Sequence, residues 1–252
     1  MKKIVLPQSE RVEEWYGFTR HHFKFENIDA WIAEPHTPAG DGRWSWIAVW
    51  PEAYVKRVGV TALLELGFYH VHINTHPMRG SVKCMEIMGR FQDYLVSLGF
   101  AEKCCLIGLS WGGFFSLRYS QTFPEKVASI YLDAPVCSAA DEGESISTEI
   151  RNKEICENFG MSFEELKTSP LNPLNSVKVL VDHNIPMMAV VGMEDTSVNI
   201  HTNFELFEER LLALGGKITV IRRNFWGHHP HGLELDESDK ITDFHCNALN
   251  NC

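Results

Sequence analysis

Apolar and polar positions fall into two regimes along the chain. Residues 1–20 are polar with scattered aromatics and carry no firm element. From His22 to Pro35 apolar and polar residues alternate well enough for one or two antiparallel strands. Thr37-Pro38-Ala39-Gly40-Asp41-Gly42 reads as a turn, and Arg43–Trp50, rich in tryptophan and β-branched residues, as the next strand. The pattern then changes to strand–helix alternation. A helix is expected over Val55–Leu66, a strand over Phe68–Asn74, a long amphipathic helix over Val82–Leu98, and a further strand over Val127–Leu132. Between Val136 and Ile185 lie 50 residues with no strand pattern. Glu142–Phe159 looks helical, Ser162-Phe163-Glu164-Glu165 is a capping-box start, and Ser176–His183 suits another helix. Alternation resumes with a strand over Met187–Val191, a helix over Asn203–Leu214, a strand over Ile218–Arg222 and a weak helix over Ser238–Ala248.

Strands alternating with helices after an antiparallel start imply a single α/β domain over 1–252. Its central sheet should be mostly parallel, with helices on both faces. Sites in such sheets lie beyond the C-terminal ends of the strands. The interruption at 136–185 is then expected to be a small helical cap over those loops.

Composition narrows the partners. A formal net charge of −10 argues against nucleic acid or an anionic membrane surface. No stretch approaches the roughly 20 apolar residues of a membrane span, and the opening apolar run Ile4-Val5-Leu6 is short for a secretory signal. Seven cysteines, an odd number, lie at 84, 104, 105, 137, 156, 246 and 252, with no Cys-x-x-Cys pair. Thiols in a reducing compartment, and hence a cytoplasmic protein, are expected.

The chemistry is concentrated at Cys104–Gly113. An apolar run enters Gly108-Leu109-Ser110-Trp111-Gly112, and an amphipathic run, Phe114–Phe123, leaves it. Gly-x-Ser-x-Gly between strand and helix is the nucleophile elbow. The serine takes a strained backbone conformation, so Gly108 and Gly112 are expected to keep bulk away, and Gly113 to let the helix lie close to the sheet. Ser110 would project at a helix N-terminus, where N–H groups favour developing negative charge.

A serine nucleophile needs a base and an acid to orient that base. In elbow enzymes these follow in the order Ser, acid, His. Asp195, in Gly192-Met193-Glu194-Asp195, follows an apolar strand and is the expected acid; Glu194 is its neighbour, and Asp133, at the end of an earlier strand, is the rival, better suited to fixing its loop. Gly227-His228-His229-Pro230-His231-Gly232 supplies the base. His228 is chosen because Gly227 would turn its ring over the sheet edge, leaving His229 and His231 to hold the loop or line the pocket. Three close histidines invite a metal reading, as do His70 and His72, but no acidic or cysteine ligand completes a recognisable spacing. No metal and no cofactor are expected. For the oxyanion hole the backbone N–H of Trp111 is one donor. The other should come from Trp50-Pro51-Glu52-Ala53; Pro51 has no N–H, so Glu52 or Ala53 is expected.

At these residues the chain resembles the serine α/β-hydrolase superfamily, and most closely an esterase-like branch of glycan-degrading bacteria. The resemblance is carried by Ala62–Phe68, the elbow, Pro124–Ala128, Asp133–Val136, Leu206–Arg210, Leu214–Gly216 and Gly227–Leu233. It implies the triad Ser110, Asp195 and His228. That branch often has Arg after the nucleophile, where this chain has Trp111, and many of its members begin with an export signal. The resemblance implies a small-molecule ester substrate, such as an acyl or methyl ester on a carbohydrate. Tryptophans at 44, 46, 50 and 111 are candidates for stacking on a sugar ring, or for the core. A serine peptidase is the alternative on the same triad, and a non-catalytic binding protein the alternative on the same fold.

Overall fold

A computed structural model describes residues 4–250. Cys252 lies outside these residues. Among the described residues nine strands form one sheet: β1 (Arg11–Trp15), β2 (Phe18–Phe25), β3 (Ile28–Glu34), β4 (Trp44–Ile47), β5 (Tyr69–Ile73), β6 (Cys104–Leu109), β7 (Val127–Asp133), β8 (Met187–Gly192) and β9 (Thr219–Arg223). Their order is β1-β2-β3-β5-β4-β6-β7-β8-β9. The pairs β1–β2, β2–β3 and β3–β5 are antiparallel, and every pair from β5–β4 to β8–β9 is parallel.

The antiparallel end is made by two tight hairpins. Tyr16-Gly17 and Glu26-Asn27 all have positive φ, as a two-residue turn matching the right-handed strand twist requires. β1 has no counterpart in the apolar pattern. It is an edge strand with mostly exposed side chains, and only Trp15 is buried, so no apolar period marks it.

The apolar alternation sorts the rest of the sheet into two cores. On one face Trp44, Trp46, Leu106 and Leu132 pack with Phe91 of α2 (Val82–Ser97), Phe114 and Phe115 of α3 (Trp111–Thr122), and Phe207 of α7 (Phe204–Ala213). On the other, Ile47, Ile107 and Tyr131 pack with Leu63 and Leu64 of α1 (Val60–Glu65) and Ile241 of α8 (Asp239–Asn250). Trp44 and Trp46 have no exposed surface, so these two tryptophans belong to the core and not to a pocket.

Segment 136–185 contains α4 (Ile146–Phe159), α5 (Phe163–Thr168) and α6 (Val177–Asp182). The capping box forms as expected: Glu165 N–H donates to Ser162 Oγ, and Ser162 N–H donates to Glu165 Oε2. α6 buries Val177 and Leu180 among the helices on the α3 face and extends that layer. α4 is tied to loops after three strands. Arg79 donates to Glu154, buried Arg151 pairs with buried Asp141 at 2.5 Å, and Ser147 Oγ donates to Ser197 O. These ties set α4 along the C-terminal edge of the sheet.

Three buried histidines are expected to make the fold acid-sensitive. Burial pushes His70 down to about 3, His72 to about 4 and His245 to about 3. His70 shares a hydrogen bond with Ser45 Oγ, His72 Nδ1 donates to Ile47 O, and His245 shares one with Ser129 Oγ. An unfolded histidine takes up its proton near pH 6.5, whereas these resist protonation until far lower pH. Between those limits the unfolded chain binds more protons, so stability falls as pH falls. Each group contributes a slope of about 1.4 kcal/mol per pH unit below roughly pH 6. Melting temperature should therefore drop steeply from pH 6.5 to 5, and His245→Gln should flatten that drop. A level profile across this range would contradict the account.

Candidate active site

The chain order of β4, β5 and β6 opens a crevice. From β4 it moves to β5 on one side, and β6 then lies on the other side of β4. Loops after β4 and β6 therefore diverge, which is where parallel sheets place their sites. Ser110 stands at this point, between β6 and α3, with φ 50° and ψ −115°. That left-handed region is costly for a residue with a Cβ. Two neighbours hold it there: Ser110 N–H donates to Asp133 O at 2.8 Å, and Val136 N–H donates to Ser110 O at 3.0 Å.

The glycines divide the steric work differently from the sequence expectation. A Cβ on Gly108 would stand 2.7 Å from Gly112 O and from Ser116 Oγ, and one on Gly113 would stand 2.4 Å from Pro135 Cβ. A Cβ on Gly112 would meet Val49 at 3.5 Å, an ordinary contact. Close approach thus demands glycine at 108 and 113, and at 112 neighbouring atoms leave room. Gly113 faces the loop after β7, not the sheet.

Asp195, just beyond β8, uses its two carboxylate oxygens differently. Oδ1 accepts from Ser197 N–H at 2.8 Å and Val198 N–H at 2.9 Å, which locks the side chain to its own turn. Oδ2 meets His228 Nδ1 at 2.7 Å. A carboxylate only accepts, so Nδ1 carries the proton, and Nε2 turns its lone pair to Ser110 Oγ at 3.0 Å. Both side chains are almost shielded from solvent, Asp195 at 3% and His228 at 10% exposure. The structure therefore brings Ser110, His228 and Asp195 into one hydrogen-bonded line, from positions 118 and 33 residues apart. Glu194 does not enter this line; its N–H donates to Trp226 O and joins the two loops.

Asp133 serves the neighbouring histidine. Its carboxylate accepts from His231 Nδ1 at 2.5 Å, Gly232 N–H at 2.7 Å and Tyr131 Oη at 2.5 Å, all buried. It thereby anchors the far end of the loop that carries His228. Arg57 holds the same loop from outside, donating to His231 O while its own carbonyl accepts from Leu233 N–H. His229 is exposed on the loop, and burial together with the neighbouring His228 and His231 lowers its pKa.

Trp111 is the first residue of α3, where N–H groups have no acceptor within the helix. On the loop after β4, Ala53 N–H donates to Trp50 O at 3.0 Å and is spent in its turn. Glu52 directs its carboxylate away, to Arg20 and to Trp15 Nε1 at 2.7 Å, leaving only its backbone as a candidate donor. Trp50 and Trp111 flank His76, with ring centres 4.9 and 6.1 Å from it, and Arg79 lies 5.2 Å over Trp111. This aromatic wall beside Ser110 keeps two of the four expected tryptophans.

A family model described as the alpha/beta hydrolase fold matches residues 84–201. Among solved structures, Pyrococcus horikoshii acylaminoacyl peptidase superposes with TM-score 0.66 at 15% identity, covering 90% of this chain and 40% of its own. A Bacteroides ovatus protein assigned as a dipeptidyl aminopeptidase IV gives TM-score 0.68 at 14% identity, covering 91% of this chain and 35% of its own. An esterase, E25, gives TM-score 0.59 at 14% identity, with coverages of 92% and 78%. No curated protein sequence matches the chain. The chain has the α/β-hydrolase fold. It spans well under half the length of the two peptidases.

Within the α/β-hydrolase fold, Gly192 shapes the site without any mark in the sequence pattern. A Cβ there would lie 2.2 Å from Gly227 O and 2.4 Å from Trp226 O, so the Asp195 loop and the His228 loop touch backbone to backbone. Neither periodicity nor spacing marks such a contact. Gly192→Ala should push His228 from Asp195 and lower kcat/KM by about tenfold or more, since misplacement of the order of 1 Å costs up to about 100-fold. Steady-state kinetics beside a thermal melt checks this; unchanged kcat/KM in a folded variant would refute it.

Proposed function

We propose that the protein is a serine hydrolase that cleaves a carboxylic ester through an acyl-enzyme. The observation that carries this is the unbroken line from Asp195 through His228 to Ser110 at a strained turn before a helix. Ser110 Oγ attacks the ester carbonyl as His228 Nε2 takes its proton; the Asp195 carboxylate holds Nδ1–H and stabilises the imidazolium. The oxyanion gathers at the Trp111 N–H and a second backbone donor from the 50–53 turn, with Glu52 as our candidate. His228 returns the proton to the leaving alkoxide, and water, activated the same way, releases the acid.

What Glu52 does argues against a peptidase that holds a free substrate amine. An aminopeptidase needs free carboxylates to hold the substrate amine, and Glu52 is committed to Arg20 and Trp15. The peptidase reading is kept as second because the two peptidase structures superpose with higher TM-scores. Trp50, 40% exposed, and half-buried Trp111 support a carbohydrate alcohol or acyl carrier beside the serine. Buried thiols at Cys84, Cys104 and Cys137 suit a reducing compartment, and among the described residues no helix is long and apolar enough to cross a membrane.

The test is a panel of matched esters and amides, including acetylated and methyl-esterified glycans. Esters should be cleaved with kcat/KM at least about 100-fold above the matched amides, and EDTA should not lower the rate. Faster amide cleavage would move the protein to the peptidases, and loss of activity on chelation, restored by Zn²⁺, would replace the serine mechanism with a metal one.

A further inference from the structure

We propose that His228, His229 and His231 form a Zn²⁺ site, and that filling it switches the hydrolase off. The inhibition rests on the function proposed above; the binding does not. The three rings sit at the corners of a near-equilateral triangle, with centres 4.8, 4.9 and 4.8 Å apart and planes at 72°, 80° and 84° to one another. Three imidazoles on one tetrahedral zinc, with Zn–N of about 2.0–2.1 Å, place their ring centres roughly 5 Å apart. The ring centres therefore already stand at the spacing of a tris-histidine site, and what remains is for the nitrogens to converge.

The surroundings fix which atoms would bind. His228 Nδ1 is held by Asp195 and His231 Nδ1 by Asp133, so each keeps a lone pair on Nε2. A metal-bound histidine characteristically gives its other nitrogen to a carboxylate, which sets the tautomer and raises ligand basicity. Here two of three histidines carry that partner, and both carboxylates are buried, with side-chain exposures of 3% and 4%. They would balance the ion's charge. Spacing in the sequence hid this, because Asp133 lies 98 residues before His231 and acts through it instead of binding directly.

One ligand nitrogen from each histidine lies within 4.8 Å of the others. Binding must shorten that to roughly 3.3 Å for tetrahedral geometry. Carboxylates pin two of the rings, so the exposed His229, which stacks on Tyr54 at 6.0 Å, would be the one to turn its nitrogen inward. Imidazole ligands favour Zn²⁺ or Cu²⁺ over Mg²⁺ or Ca²⁺. Zinc on His228 Nε2 would occupy the lone pair that must take the Ser110 proton. The cluster is thus a cofactor site in ligand chemistry and an off-switch in effect.

Calorimetric titration of Ser110→Ala with ZnCl₂ tests binding without any need for turnover. One ion per chain should bind at micromolar concentration, MgCl₂ should give no heat, and His229→Gln in the same background should weaken zinc binding at least tenfold. In the wild type, ZnCl₂ should inhibit ester hydrolysis, EDTA should restore it, and His229→Gln should need at least tenfold more zinc for half-inhibition of its own rate. No saturable binding up to about 1 mM, or equal affinity in the His229 variant, overturns the site. Binding without inhibition of an active enzyme overturns the switch. One-site, His229-dependent binding in a protein that cleaves no ester supports the site and removes only the hydrolase reading.

Discussion

Ser110→Ala is expected to lower kcat by a factor on the order of 10⁶, the loss seen when a triad nucleophile is removed. Without Oγ no acyl-enzyme can form, and only binding and the oxyanion donors remain. Stability should change little. Alanine keeps the Cβ, so the strain at φ 50° is the same in both proteins, and what is lost is one hydrogen bond to His228 at 3.0 Å. A bond of that kind contributes about 1 kcal/mol, which for a chain of this size shifts the melting temperature by about 2–4 °C. Kinetics and a thermal melt on the same preparation separate the two effects. A variant with much of its kcat left would show that another group attacks the substrate.

The second large effect separates the two buried aspartates. Asp195→Asn should cost up to about 10⁴ in kcat. The amide oxygen can still accept from the Ser197 and Val198 N–H groups, so the turn survives. Its nitrogen then faces His228 Nδ1, and a donor there forces the proton to Nε2, where it faces Ser110 and cannot accept. Asp133→Asn should behave the other way round. Asp133 takes three buried donors with a full negative charge; an amide accepts from Tyr131 and Gly232 more weakly and turns its N–H₂ to His231 Nδ1, which must then give up its proton or be left facing a donor. An unmatched buried group costs about 1–3 kcal/mol, so its melting temperature should fall by several degrees. Its kcat should fall only about tenfold, through a looser loop. Large kinetic loss with an unchanged melt in Asp133→Asn, and near-normal turnover in Asp195→Asn, would exchange their roles.

The sequence made the α/β alternation readable because each parallel strand is buried on both faces and each flanking helix carries an apolar stripe. β6, β7 and β8 show no exposed residue, so their apolar runs stand out against the chain. β1 was hidden for the opposite reason, since an edge strand of Arg, Val and Glu buries only Trp15. The turn at Ser110 was legible through the pattern Gly108-x-Ser110-x-Gly112, although close approach demands glycine at 108 and 113 and leaves room at 112. Asp195 and His228 were legible through their places after β8 and β9. The division of labour between the aspartates was less so. Asp133 was expected to fix a loop, yet that the loop would be the His228 loop, gripped through His231 and Gly232, depends on β7 lying between β6 and β8. Trp44 and Trp46 show the same limit, because alternate positions on a buried strand look alike whether they line a pocket or a core.

The central claim is that Ser110 is an activated nucleophile, and covalent labelling reads that directly, whatever the natural substrate. A fluorophosphonate should add once to the wild type, and peptide mass spectrometry should place it on Ser110. Ser110→Ala should take up none, and His228→Ala should react far more slowly. Labelling of Ser110→Ala to the same extent as the wild type, or a wild type that stays unmodified, would contradict the account.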